Sequence, residues 1–270
     1  MVSVQQLWKR EYSNARYERW PNNVDPVDMA AFRLREKLFH FFGPAFGRAF
    51  SAPFDRNIAA AAVPWYLAGG APAPIAVYEP MGKADLATSY INLITPGTYN
   101  AAGNAPSFDT ARGWIGGAAW HLLTGLVAAS TSWSYLVRYA NGPTSGATSP
   151  AVLSAYNSNS QCVWLCPKNN AGNRRYGNGG LLDNYAGCSA SGVIGAAGNA
   201  AYHDGLSTGT IGAGTAPAPQ ITIGTLNING TPNTSTSYYW SGDILAVAIW
   251  DTSTNHAAWM PAVMAAVALI

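Results

Sequence analysis

Residues 50–80 read FSAPFDRNIAAAAVPWYLAGGAPAPIAVYEP. The run is apolar enough to raise the question of a membrane span, and its reading decides what the rest of the chain is. Pro64, Pro72 and Pro74, with the pair Gly69-Gly70, interrupt any helix of the roughly twenty residues that a span needs. Proline and glycine at this spacing suit edge strands and turns instead. The stretch AAWMPAVMAAVALI at the other end is too short for a span and contains Pro261. No membrane insertion is expected.

Working outward, the composition agrees with a β domain. Only 10% of the 270 residues are charged, and Gly, Ala, Ser, Thr, Asn and aromatics are abundant. That is the profile of an all-β chain with many turns. The net charge of +2 gives no footprint for nucleic acid.

The charge is unevenly spread. Residues 1–60 hold nine of the fifteen Lys and Arg and six of the thirteen acids. Two domains are therefore expected, an arm over 1–60 and a body over 61–270. The arm carries Trp8, Tyr12, Tyr17 and Trp20 among Arg10, Arg16 and Arg19, aromatics that free disordered tails lack. Residues 25–42, DPVDMAAFRLREKLFHFF, carry helix signals. Asp25 suits the cap, Pro26 the first turn and Asp28 the N-terminal dipole. Phe32, Phe39 and Phe42 lie on its apolar stripe, and Gly43-Pro44 stops it. The arm is expected to order on a neighbouring subunit. The opening MVSVQQLWKREYSNARYERW places charges where a signal peptide needs its apolar run, so synthesis in the cytoplasm is expected.

From residue 75 onward the chain reads as strands between turns. Candidate strands are Ile75–Tyr78, Ser132–Tyr139, Cys162–Leu165, Gln220–Leu226 and Gly242–Trp250. Turn signals stand at Asn141-Gly142-Pro143, Gly177-Asn178-Gly179-Gly180, His203-Asp204-Gly205 and Asn229-Gly230. A short C-terminal helix is expected, capped by Asp251 or Thr252, with Trp259, Val263 and Val267 on one face. This spacing predicts one antiparallel sandwich that buries Trp114, Trp133, Leu136, Ile244, Val247 and Ile249. The three cysteines, Cys162, Cys166 and Cys188, give no disulfide framework, and no His stands near them to complete a zinc site. They read as buried free thiols.

Several phrases, in order, resemble the concanavalin A-like (laminin G-like) jelly-roll modules of bacteriophage and metagenomic proteins. SYINLITPGTYNAAGNAPSFDTARGWIGGAAWHLLTG, residues 89–125, resembles that family's opening. Residues 133–139, WSYLVRY, resemble a core strand, and 176–180, YGNGG, a central turn. Residues 197–205, AGNAAYHDG, resemble a hairpin, and 240–251, WSGDILAVAIWD, the closing strand. With the WYLAGG lead-in at 65–70, the similarity spans residues 63–270. The usual F-N-G of the opening is Ile115-Gly116-Gly117 here, a change placed in a loop. The resemblance implies an all-β, antiparallel jelly-roll sandwich, and the extended arm and one short helix read above precede it.

Glycosidases of that fold need paired carboxylates, commonly Glu-x-Asp-x-x-Glu. No Glu follows Glu79, and Asp85, Asp109, Asp183, Asp204, Asp243 and Asp251 form no same-face strand pair. Asp183, Asp204 and Asp243 read as turn residues. His121, His203 and His256 are isolated, and no Gly-x-Ser-x-Gly elbow is present. The chain is therefore read as no enzyme, with no cofactor and no metal site, a single loop-bound calcium being left open. Tyr156, Asn157, Asn159, Asn173, Arg174, Arg175, Tyr176 and Asn178 combine aromatic and polar groups in apparent loops. They are candidates for glycan binding, or simply turn formers.

Two functions follow as expectations. The resemblance and the arm imply a structural protein of a phage virion: a capsid decoration, head fibre or tail accessory subunit. It would be anchored by its arm to other virion proteins and to copies of itself. The alternative is a carbohydrate-binding adhesin or receptor-binding protein whose partner is a cell-surface glycan.

Overall fold

Glycine- and proline-rich turns divide the chain into many short strands. The computed structural model describes residues 63–143, 149–169, 171–185, 189–233, 235 and 237–270. The assembly residues expected in the arm, from Trp8 to Phe42, lie outside these residues, as does Cys188. In chain order the strands begin with β1 Ala76–Tyr78, β2 Ala102–Asn104, β3 Ser107–Asp109, β4 Gly113–Ile115, β5 His121–Leu123, β6 Ser134–Ala140, β7 Leu153–Ser158 and β8 Gln161–Cys166. They continue with β9 Arg174–Tyr185, β10 Gly192–Ala197, β11 Ala200–His203, β12 Leu206–Thr210, β13 Thr222–Ile223, β14 Asn227–Ile228, β15 Thr231–Pro232 and β16 Asp243–Trp250. Two α-helices, α1 Leu86–Ser89 and α2 His256–Val267, and a 3₁₀ turn over Trp65–Gly70 complete the described elements. No described helix is long and apolar enough to cross a membrane.

The strands form two packed sheets, an all-β sandwich as the sequence predicts. The first runs β12-β11-β10-β6-β16-β4-β3, with β1 also beside β16. In the second, β7 lies between β8 and β9 on one side and β13, β5 and β2 on the other, with β14 and β15 at the far end of β7. Pairing is antiparallel throughout except where β14 meets β7 at Ile228–Tyr156 and at the isolated bridge Ala151–Tyr239.

Strand alternation sorts the apolar side chains into three layers. Trp114, Trp133, Tyr135, Val137, Leu153, Val163, Leu165, Tyr176, Ile244, Val247 and Ile249 fill the space between the sheets. Leu136, Ala246, Ala248 and Trp250 point the other way, where Trp259, Met260, Val263 and Val267 of α2 cover them. Strand β16 is thus buried on both faces, which explains its unbroken apolar run DILAVAIW. All six residues expected in the core are buried. The opening stretch belongs to this scheme. Trp65 is buried under α2, and Val77 and Tyr78 of β1 are fully buried on opposite faces of the first sheet. Gly69 has φ +65°, and a Cβ there would stand 2.5 Å from the Cβ of Ala262, so the glycine lets the 3₁₀ turn touch α2.

The phrase NL..PGTYNA marks a buried polar staple. Asn92 is fully buried; its Oδ1 accepts from Val77 N (3.0 Å) and Ile94 N (3.1 Å), and its Nδ2 donates to Ile75 O (3.1 Å) and Thr98 O (3.0 Å). Asn100 Oδ1 in turn accepts from Asn92 N and Gly97 N. Two asparagines therefore fasten the loop to β1.

Other expectations are met or corrected. His203-Asp204-Gly205 and Asn229-Gly230 are tight hairpin turns, with Asp204, Gly205, Asn229 and Gly230 all at positive φ. Cys162 and Cys166 are both buried. The segment Gly177–Gly180 is not a turn but the middle of β9. Its glycines serve close packing: a Cβ on Gly177 would lie 2.7 Å from Cys162 Sγ. Strand 220–226 shrinks to Thr222–Ile223. The C-terminal helix starts later than expected, at His256. Asn255 is its N-cap, left-handed and without a side-chain cap bond, because residues 252–254 turn the chain back through Thr254 N to Thr252 Oγ1.

Candidate functional site

The outer faces of the two sheets differ. That of the first is covered by α2, whereas that of the second carries a small apolar cluster of Ala151, Trp164, Cys166 and Leu226 beside a cleft. The alternation in β8 creates it: Val163 and Leu165 turn into the core, so Cys162, Trp164 and Cys166 must turn outward. On β7 the same rule sends Leu153 and Ala155 inward and Tyr156 outward. On β9, Tyr176 faces the core and Arg175 the cleft. Ser149, Asn159, Leu226, Ile228 and Tyr238 complete the lining of a cleft of about 260 Å³.

Three groups organise its floor. The Trp164 ring is met edge-on by Tyr156, with centroids 5.5 Å apart. The Arg175 guanidinium lies 4.7 Å from the centroid of the Trp164 ring. Tyr156 Oη donates to Asn159 Oδ1 at 2.9 Å. Burial pushes the Tyr156 hydroxyl above its usual pKa, with Arg175 opposing, so at neutral pH it is a protonated donor.

The structure divides the expected glycan residues. Tyr156, Asn159 and Arg175 come together at the cleft. Asn157 and Asn173 are not among its lining residues. Tyr176 is a core side chain with no exposure. Arg174 is 7% exposed and faces His203 on the inner side. Asn178 is a tether: its Nδ2 donates to the carbonyls of Thr131, Trp133 and Gly198 at 2.9–3.1 Å. These last three are removed from the site by strand parity, since what reads as a loop is β9. Trp164, Leu226, Ile228 and Tyr238 were not among the expected residues. Alternation about Val163 and Leu165 was a signal for Trp164, whereas Tyr238 reaches the cleft through the long-range bridge Ala151–Tyr239.

The carboxylates have structural duties. Asp243, 1% exposed, holds a bidentate pair with Arg112 (3.0 and 2.9 Å) and accepts from Asn141 Nδ2, so it is a buried ion pair at a strand end and not a free turn residue. Asp109 Oδ1 accepts from Ala111 N and Arg112 N, and Asp204 Oδ1 from Val193 N. Among the described residues no group of three or more His, Cys, Asp or Glu is placed to hold a metal ion. His203 is packed between Tyr139 Oη (2.9 Å to Nε2) and Asp204 (3.1 Å from Nδ1). Tyr139 is 1% exposed and the Asp204 side chain 49%, so this chain of bonds runs from the core to the surface.

No known family model and no curated protein sequence matches the chain. Among solved structures, the chain is similar to Trypanosoma rangeli sialidase in complex with sialic acid (12% identity, TM-score 0.48, covering 70% of this chain and 32% of that one). It is also similar to domain 4 of AbnA, a GH43 extracellular arabinanase from Geobacillus stearothermophilus, in complex with arabinotriose (18% identity, TM-score 0.40, 71% and 96% covered). A third is the Ruminococcus gnavus IT-sialidase CBM40 bound to α2,3-sialyllactose (17% identity, TM-score 0.33, 45% and 76% covered). The chain spans about a third of the length of the sialidase. At these scores the likenesses assign neither a family nor a ligand.

Proposed function

We propose that the chain is a non-catalytic glycan-binding module and that the cleft on the outer face of the second sheet holds the sugar. The observation that carries this reading is the convergence of Tyr156, Tyr238, Asn159 and Arg175 over an apolar floor of Leu226 and Ile228. A sugar ring offers apolar C–H faces and a rim of hydroxyls. Aromatic rings and a few fixed polar groups in a concave, partly apolar site answer both needs. The cleft is slightly smaller than the roughly 300–1,000 Å³ of pockets for larger ligands, which suits one sugar ring with its substituents. The proposal rests on the cleft and not on the sugar complexes named above.

Glycan binding is placed ahead of the virion role expected from the resemblance. The cleft is built of described residues, whereas the arm that would anchor the chain in a particle lies outside them. A glycan microarray probed with the full chain tests the proposal, followed by titration of the best ligand against variants. Tyr156→Ala is expected to weaken binding by tenfold or more, the order of one lost aromatic contact and hydroxyl. Asn157→Ala, one residue along the same strand but away from the cleft, is expected to leave affinity unchanged. Equal losses in both variants, or in neither, would reject the cleft as the site.

A further inference from the structure

We propose that the sugar taken by this cleft carries an acetamido group, whose carbonyl accepts from the Trp164 indole N–H. The inference rests on the reading of the cleft as a glycan site and adds the class of sugar. It starts from an unmet donor. Trp164 lines the cleft and is 3% exposed, and its Nε1 has no hydrogen-bond partner among the described residues. The buried indoles of Trp114, Trp120, Trp240, Trp250 and Trp259 all donate, to Ser89 Oγ and to the carbonyls of Trp240, Asp243, Pro72 and Thr254. Trp65, at the start of the described chain, is the other exception. A buried donor left unpaired is costly, and a binding site is where a ligand can relieve that cost. Bringing an oxygen to Nε1 takes a small side-chain shift at the cleft wall, of a kind common where partners bind.

The class of sugar follows from what surrounds that donor. An indole N–H donates and cannot accept. A sugar hydroxyl placed on it brings a proton of its own, which then needs an acceptor; a carbonyl oxygen brings none. Acceptor capacity in the cleft is already drawn on, because Asn159 Oδ1 accepts from Tyr156 Oη at 2.9 Å, and Asn159 Nδ2 adds a further donor. Beside these donors the wall is apolar. Leu226 belongs to one buried cluster with Trp164, and Ile228 packs against it. A carbonyl to bond and a methyl to bury, joined in one planar amide, make an acetamido group: its oxygen meets the Trp164 N–H and its methyl meets Leu226 or Ile228. A plain hydroxyl at the same ring position supplies no methyl. A carboxylate supplies the oxygen but sets a charge against the apolar wall.

The test is calorimetric titration of the full chain with matched pairs that differ only in the acetamido group: chitotriose and cellotriose, N-acetylgalactosamine and galactose. At least one acetylated member is expected to bind about tenfold or more tightly than its counterpart, the order of one hydrogen bond and one buried methyl. In NMR titrations of the unaltered chain, the Trp164 indole N–H is expected to move downfield with the acetylated member and far less with the plain one. Trp164→Phe keeps an aromatic ring, removes the donor and identifies that signal by its loss; it is expected to close most of the affinity gap. If acetylated and plain members bind alike and Tyr156→Ala abolishes both, acetamido selection is overturned and the glycan site stands. An indole signal that moves equally with both members, a gap that persists in Trp164→Phe, or an array whose ligands all lack an acetamido group overturns it as well. If no member of the panel or of the array binds, both readings fall.

Discussion

Replacing Asn92 with alanine is expected to destabilise the sandwich by about 3–4 kcal/mol, because each buried group left unpaired costs about 1–3 kcal/mol. The side chain is fully buried and makes four hydrogen bonds to backbone groups of residues 75, 77, 94 and 98. Val77 is itself fully buried in β1, so its freed N–H has no access to water. Alanine also leaves a cavity that the paired strands cannot close. For a domain of this size the loss corresponds to a fall in Tm on the order of 10 °C. Asn92→Asp is expected to be no milder, since it turns a carboxylate oxygen toward the carbonyls of Ile75 and Thr98. Urea unfolding of the full chain checks both; a change below about 1 kcal/mol would mean that the staple is not structural.

Acid is expected to weaken the fold through His203. Burial first, and the nearby Arg174 second, lower its pKa from 6.5 to about 4, against the opposing pull of Asp204. The neutral ring fits its setting: Nδ1–H donates to Asp204 and Nε2 accepts from Tyr139, whose hydroxyl burial keeps protonated. Because the folded pKa is depressed, the unfolded chain takes up the proton first. The stability is therefore whole above pH 6.5, falls as pH drops toward about 4, and is not reduced further by this group below that. At about 1.4 kcal/mol per unit the loss amounts to roughly 3 kcal/mol. His256, lowered by burial and bonded to the Tyr202 hydroxyl at 2.7 Å, acts in the same direction. Unfolding free energies measured from pH 7 to 4 should show the decline, and His203→Gln should flatten it. An equally steep decline in that variant would place the acid sensitivity elsewhere.

Much of the fold is legible in the chain because its signals are local. The closing strand GDILAVAIW announces burial on both faces by its unbroken apolar run, and α2 supplies the second cover. The hairpins at Asp204-Gly205 and Asn229-Gly230 announce themselves because only a few residue types accept positive φ. The segment Tyr176–Gly180 misleads for the same reason turned around: glycines that mark turns elsewhere here make room for Cys162 and Trp164 across the ladder. That error decides the site. With 177–180 read as a turn, Arg174, Tyr176 and Asn178 join Arg175 as loop residues; in a strand, parity sends them to the core and leaves Arg175 with Trp164. Tyr238 is beyond local reading, since a bridge across 88 positions, Ala151 to Tyr239, brings it to β7.

The central claim, a glycan held at the outer face of the second sheet, is tested most directly by NMR chemical-shift mapping of the full chain with the best ligand from the array. The Trp164 indole N–H, buried and with no hydrogen-bond partner among the described residues, and the Arg175 side-chain N–H report on the cleft from within. The account predicts saturable shifts at Trp164, Arg175 and the backbone of Tyr156 and Ile228, with Trp114 and Trp250 of the core unmoved. Shifts centred on His203 and Arg174 inside the sandwich, or on Arg112 and Asp243 at the end of β16, would contradict it.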